Sequence, residues 1–212
     1  MGSSTRKVRR VHAAAAVAAC AVMLAGCAPH PPESVELDQS NVGSPGAFAS
    51  VVWNAVCGDT ALDAEIAQTF TAGRTGFVNR VTMSMQPIAP GSQVPFELTI
   101  RKVNPDGSPS GTVLGSGTYG GPGASDPSSV VDIPLQAPAL VFEGHRYAIV
   151  ATLPPVEECS EPARDDYGWS FFGSGDAYPS GRALWRGTGY NTPAWEPTMS
   201  DFYFETWMRE LT

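Results

Sequence analysis

The sequence predicts an all-β domain, an antiparallel two-sheet β-sandwich. Two observations carry that class. The first is period-two alternation: Phe77, Val81, Met83 and Met85 alternate with Val78, Arg80, Thr82 and Ser84. Phe96, Leu98 and Ile100 alternate with Glu97, Thr99 and Arg101, and Tyr147, Ile149, Ala151 and Leu153 share one face of their segment. Such alternation marks strands with one face on a core. The second is the punctuation between runs by turn-forming clusters: Asn104-Pro105-Asp106-Gly107, Gly120-Gly121-Pro122-Gly123 and Glu143-Gly144-His145. Many short strands separated by Gly/Pro-rich turns pack as two sheets.

The elements follow in chain order. Residues 1–10 hold Arg6, Lys7, Arg9 and Arg10 and no acid, and residues 11–23 are apolar except for His12. This is the order of a signal peptide, a basic head before an apolar run shorter than the roughly 20 residues that span a bilayer. The run ends on Leu24-Ala25-Gly26-Cys27, which resembles the lipobox of bacterial lipoproteins. The resemblance implies cleavage after Gly26, a diacylglycerol thioether on Cys27 and a further N-acyl chain, hence a cell-membrane protein facing the extracytoplasmic side. Val11-His12-Ala13 after Arg9-Arg10 lacks the hydrophobicity of a twin-arginine signal, which favours the general secretory route.

Residues 28–47 hold four prolines and few apolar side chains, so residues 27–47 are expected to form a lipidated, disordered tether and residues 48–212 the domain. Cys20 leaves with the signal and Cys27 is taken by lipid. Cys57 and Cys159 remain and are expected to bond in an oxidising compartment, closing a loop worth about 4–5 kcal/mol in the chain-entropy model. Phe202 and Phe204 alternate with Tyr203, Glu205 and Trp207, and Ile66, Gln68 and Phe70 and the run Val131, Ile133 and Leu135 extend the set of expected strands. Thr60–Ala67 is the one stretch expected to allow a short helix.

Several of these runs, taken in order, resemble the jelly-roll domains of exported bacterial proteins called choice-of-anchor domains. The residues are Ala67-Gln68-Thr69-Phe70-Thr71, Gly107-Ser108-Pro109-Ser110-Gly111-Thr112-Val113-Leu114, Gly144-His145-Arg146-Tyr147-Ala148-Ile149-Val150 and Asp201-Phe202-Tyr203-Phe204. The resemblance covers residues 65–208. It implies a jelly-roll sandwich like that of carbohydrate-binding modules, used for display, adhesion or glycan contact, with no catalytic residues.

Charge and motifs narrow the function. The chain carries 13 Lys+Arg and 21 Asp+Glu. Residues 1–26 hold four of the basic side chains and no acid, so the processed chain has nine against 21, a net charge of −12. That argues against nucleic acid as a partner. After processing Lys102 is the only lysine. The domain has one histidine, His145, in a turn, and no G-x-S-x-G, H-E-x-x-H or P-loop pattern, so no enzyme is expected. Glu157-Glu158 and Asp165-Asp166 read as solvated loop acids.

Asn104, Asp106 and Ser108 could offer oxygens to a structural calcium ion, or simply build an Asx-type turn. No other cofactor is implied. Trp53, Trp169 and Trp207 read as core or sheet-face residues. Trp185, Tyr190 and Trp195 fall in the loop-like stretch 178–199 and are the candidate glycan-contacting patch, for a cell-wall or extracellular glycan. Their competing role is to plug one end of the sandwich. The remaining alternatives are a carrier of a hydrophobic small molecule, which needs an apolar cavity, and a small glycan-active hydrolase, against which the lone histidine counts.

Overall fold

The structure, a computed structural model, describes residues 34–42, 48–57, 60–87, 95–120, 129–154, 167–171, 177–187 and 192–211. At residues 48–57, 60–62, 86–87 and 129 the backbone alone is described. The signal peptide, Cys27, Cys159, Tyr190 and the acids at 157–158 and 165–166 lie outside the described residues. Cys57 is described only as the last backbone position of a strand.

Among the described residues every regular element is a strand. In chain order they are β1 (Glu36–Asn41), β2 (Phe48–Cys57), β3 (Thr60–Thr71), β4 (Gly76–Pro87), β5 (Phe96–Val103) and β6 (Pro109–Tyr119). Then come β7 (Ser129–Val141), β8 (Arg146–Thr152), β9 (Tyr167–Ser170), β10 (Ala183–Gly187), β11 (Thr192–Pro197) and β12 (Phe204–Glu210). All pairings are antiparallel. Hydrogen-bonded neighbours run β4, β9, β2, β3, β8, β5, β6, β7 and back to β4. The sheet is therefore curled onto itself, which leaves few long open edges for pairing with other chains. β12 and β1 continue from β4, and β10 and β11 from β3.

The alternation read from the sequence sets the core. Phe96, Leu98 and Ile100 of β5 face Ala151 and Ile149 of β8, and all five are buried. Phe70, Val81, Met83, Phe202 and Phe204 are also fully buried. Trp169 is a core residue: it stacks on Phe202 at 4.7 Å and donates its indole N–H to the Tyr203 carbonyl at 2.7 Å. Trp207 sits on the outer face, under the Arg80 guanidinium at 4.2 Å, with its N–H on Thr82 Oγ1.

Four expectations are corrected. Thr60–Ala67 is not helical but part of β3. Its Ala and Glu residues favour helix locally, yet β8 takes one edge and β2 and β10 the other, and tertiary pairing outweighs propensity. Small residues suit this strand because both faces are covered: Ile66 and Phe70 belong to the main core, Ala67 to a second cluster on the opposite face.

Residues 36–41, expected in the tether, form β1 against β12. Glu36–Asn41 is polar, but its backbone pairs from Glu36↔Met208 to Asn41↔Phe204, and Asn41 donates to the Phe202 carbonyl at 2.8 Å. The folded domain thus begins before residue 48. In β4 the alternation breaks at Asn79. Arg80 pairs with Trp207 and Val78 with Met208, leaving Asn79 as the extra residue of a bulge. The bulge puts Val78 in the core, and Phe77 outside beneath Arg209 at 5.2 Å. Last, much of the loop-like stretch 178–199 is the hairpin of β10 and β11.

Candidate ligand cleft at the turn end of the sheet

Register places five chain features at one end of the curled sheet. Thr71 pairs with Arg146, Gly76 with Val141 and with Glu210, Lys102 with Tyr147 and Glu36 with Met208. The β3–β4, β5–β6 and β7–β8 turns are therefore neighbours there, beside the first residue of β1 and the last of β12.

The turns are tied together by backbone hydrogen bonds. Gly144 donates to the Ala72 carbonyl at 2.8 Å, Ala72 to the His145 carbonyl at 3.0 Å, and the Glu143 amide to Thr75 Oγ1 at 3.0 Å. Gly144 holds φ at +74°, a left-handed conformation that glycine adopts without a Cβ clash. Gly107 in the β5–β6 turn has φ +86°, and a Cβ there would lie 2.5 Å from Arg182 Nη2. The Arg182 guanidinium in turn donates to the Asp106 carbonyl at 2.7 Å.

Between the β5–β6 and β7–β8 turns lies an open cleft of about 650 Å³. Its apolar wall is Val103, Leu114, Leu140 and Phe142, and Tyr147 is also part of it. Phe142 is held by its own amide, which donates to Tyr147 Oη at 2.9 Å, and its ring meets His145 edge-on at 6.2 Å. Three basic side chains line the cleft, Lys102, His145 and Arg146, and no carboxylate does.

Lys102 occupies the position where the buried row Phe96, Leu98, Ile100 would continue, opposite buried Tyr147. The row therefore ends in an exposed ammonium at the cleft. Lys102 and Arg146 form no ion pair among the described residues.

In the neighbouring turn the candidate calcium-ligating residues Asn104, Asp106 and Ser108 bond one another. Asp106 Oδ1 accepts from the Ser108 amide at 2.8 Å and from Ser108 Oγ at 2.6 Å, and Asn104 Nδ2 donates to Ser108 Oγ at 3.0 Å. The two Ser108 bonds, together with Arg182, hold the Asp106 carboxyl below its ordinary pKa. This is the arrangement of an Asx-type turn.

Of the candidate glycan patch, Trp185 and Trp195 do not share one surface, and Tyr190 lies outside the described residues. Trp185 pairs with Glu196 across the hairpin, so adjacent Trp195 points to the other face. Trp185 packs against the main core. Trp195 is half-buried over the outer cluster of Ala67, Ala148, Val150 and Leu184, with Arg186 at 4.8 Å from its ring. Arg186 is paired with Glu65, which also lies 3.8 Å from Arg101; burial lowers the Arg101 pKa against the pull of Glu65.

Sequence reasoning missed a second feature, a buried polar network joining two of the motif segments. Gln68 donates to Asp201 Oδ1 at 3.0 Å and to the Thr69 carbonyl at 3.1 Å, and accepts the Phe202 amide at 2.8 Å. Asp201 Oδ2 accepts the Tyr178 amide at 3.0 Å. The Tyr178 ring meets Phe204 edge-on at 5.1 Å and its hydroxyl donates to Gln39 Oε1. Burial, with Asp38 and Asp201 nearby, pushes the Tyr178 hydroxyl up to about 12. These residues fix the segments before β10 and before β12 onto β3. The signal for this was the Gln in the first motif and the Asp in the last. The cleft had no comparable signal, since its wall is gathered from four separate segments.

No family model matches the chain, and no curated protein matches it.

Proposed function

We propose that this protein is a lipid-anchored extracytoplasmic module that binds a small molecule, without catalysis, in the cleft at its turn end. The observation that carries the reading is the cleft itself, an apolar wall of Val103, Leu114, Leu140 and Phe142 joined to Lys102, His145 and Arg146. A few polar groups on a largely apolar concavity are the usual make-up of a small-molecule site, and about 300–1,000 Å³ is its usual size. The cleft belongs to a jelly-roll-like sandwich, in which β2 and β7 serve both sheets. Support for that layering is the pairing of β2 with both β3 and β9, and of β7 with both β4 and β6.

Of the two described residues of the glycan-binding alternative, Trp185 packs against the main core and Trp195 against the outer cluster, which leaves Trp195 as the better placed. His145, the one histidine of the domain, has its Nδ1 3.1 Å from the carbonyl of Glu143 in its own turn. The lipid anchor follows from Leu24-Ala25-Gly26-Cys27. Fatty-acid labelling that persists in Cys27→Ser would remove it.

The binding reading is tested with a small-molecule panel read by amide chemical shifts. Ligands should move the amides of Lys102, Asn104, Phe142 and Arg146 first. Hits that instead move Ala183–Gly187 and Thr192–Pro197 would transfer the site to the tryptophan hairpin.

A further inference from the structure

We infer that the cleft faces the membrane and takes a fatty acid from it, the acyl chain on the apolar wall and the carboxylate at Lys102 and Arg146. The inference rests on the two readings above, Cys27 as the anchor and the cleft as the ligand site.

The first argument is where the chain enters the domain. Glu36 is nine residue steps from Cys27, a reach of at most about 32 Å even when fully extended. Glu36 is fixed at the cleft end by its pairing with Met208 and by Arg74, which bonds Glu36 at 2.8 Å, Glu210 at 3.1 Å and the Leu37 carbonyl at 3.1 Å. The anchored chain therefore reaches the domain on the side where the cleft opens.

The second argument is what that end exposes. Val35 (41%), Leu37 (41%), Leu140 (36%), Phe142 (49%) and Leu211 (50%) are five of the nine large apolar side chains exposed among the described residues. They stand at the start of β1, the end of β7 and the end of β12. Apolar side chains gathered at one rim suit contact with a lipid surface or an apolar ligand better than contact with water.

The third argument is charge. An acidic protein lines this cleft with three basic groups and no acid. Lys102 ends a row of core-facing positions, so its ammonium stands where the apolar surface stops. A neutral hydrocarbon would leave the Lys102 and Arg146 charges unanswered, and a small inorganic anion would leave the apolar wall wet. A single-chain carboxylate satisfies both.

The test uses the mature lipidated protein in zwitterionic phosphatidylcholine nanodiscs. The probes are a photoreactive fatty acid and the alcohol of the same chain length, with crosslinked peptides mapped by mass spectrometry. The acid should label the segments holding Leu114 and Leu140–Phe142 about fivefold more than the alcohol, as for loss of exposed ion pairs. Lys102→Gln should lower the acid's labelling part of the way toward that of the alcohol, and Lys102→Gln/Arg146→Gln should bring it to that level, both with an unchanged melting temperature. In detergent, each added methylene should tighten binding about fourfold until the wall is covered.

Equal cleft labelling by acid and alcohol would overturn the carboxylate assignment and leave the cleft as a site. Labelling confined to Val35 and Leu37, with none in the cleft, would overturn the cleft as the site. Cleft labelling in detergent but none in nanodiscs would overturn the membrane-facing orientation alone.

Discussion

Asp201→Ala tests the network that holds the last third of the domain to β3. The substitution removes two buried acceptors. Gln68 Nε2 loses its 3.0 Å bond but keeps the Thr69 carbonyl at 3.1 Å, so its share is about 1 kcal/mol, at the low end for an imperfectly satisfied donor. The Tyr178 amide loses the 3.0 Å bond to Oδ2, and a buried N–H without an acceptor costs about 2–3 kcal/mol. The sum is about 3–4 kcal/mol. For a domain of this size that lowers the melting temperature by about 6–16 °C, at about 2–4 °C per kcal/mol. Asp201→Asn should recover only part, because Gln68 and the Tyr178 amide bond different carboxylate oxygens and the asparagine NH2 would face one of these two donors. Gln68→Leu strands the Phe202 amide, and the double variant Gln68→Leu/Asp201→Ala should cost less than the two single changes together, since their shared bond is lost only once. Urea or thermal unfolding of the four variants gives the cycle. Losses under about 1 kcal/mol, or strict additivity, would refute the reasoning by showing that water replaces these partners.

Three further outcomes follow from the geometry. Trp195→Ala should cost about 2 kcal/mol of unfolding free energy, less than the 3–5 of a fully buried aromatic because the ring is half-buried under Arg186; a loss of glycan retention without any loss of stability would instead favour the glycan reading. Burial raises the Asp38 carboxyl above its ordinary 3.8, against the Gly73 amide and Arg74, so the folded state holds this proton more tightly than the unfolded chain. The stability this confers is complete below pH 3.8 and is lost as pH rises through the native value, so the stability of wild type relative to Asp38→Asn should fall across that window; a pH-independent difference in urea midpoint would refute it. Gly144→Ala should cost about 1–2 kcal/mol in thermal unfolding, all of it backbone strain at φ +74°, since nothing lies within 4 Å of the added Cβ; an unaltered melting temperature would refute it.

The all-β class was legible because alternation survives in most strands. Phe96–Ile100 and Tyr147–Ala151 could be assigned to the core from their spacing alone, and both rows are buried. Where the reading failed, a nonlocal partner was responsible. β1 is polar and lacks a core stripe; it is a strand because β12 offers it a backbone edge and Arg74 a counterion. In β4, one bulged residue exchanged the faces of Phe77 and Val78, and nothing local in Gly76–Arg80 announces it. The tryptophan hairpin misled through its Gly and Pro content. Its strand pairing turns two neighbouring aromatics to opposite faces, so nearness in sequence did not become a shared surface. The cleft was illegible for the same reason: Val103, Leu114, Phe142 and Arg146 meet only once the strands are registered.

The same registration makes the cleft a preorganised one. Its sides are two turns, one braced by the Asp106–Ser108–Asn104 bonds and Arg182, the other stitched to the β3–β4 turn through Ala72, Thr75 and Gly144. Phe142, the most exposed of its apolar wall residues, is pinned by its backbone to Tyr147, which belongs to the core. A ligand entering such a site orders little protein, so little of its binding free energy is lost to immobilising loops. What remains to order is chiefly the long side chains of Lys102 and Arg146, each with about 2 kcal/mol of rotamer entropy to lose. A ligand whose affinity came from charge alone would have to overcome that ordering in a high-dielectric opening, where a surface ion pair contributes about 0–1 kcal/mol. The apolar wall must then supply most of the affinity and the basic groups the choice among ligands, which is the division of labour expected for an amphipathic anion.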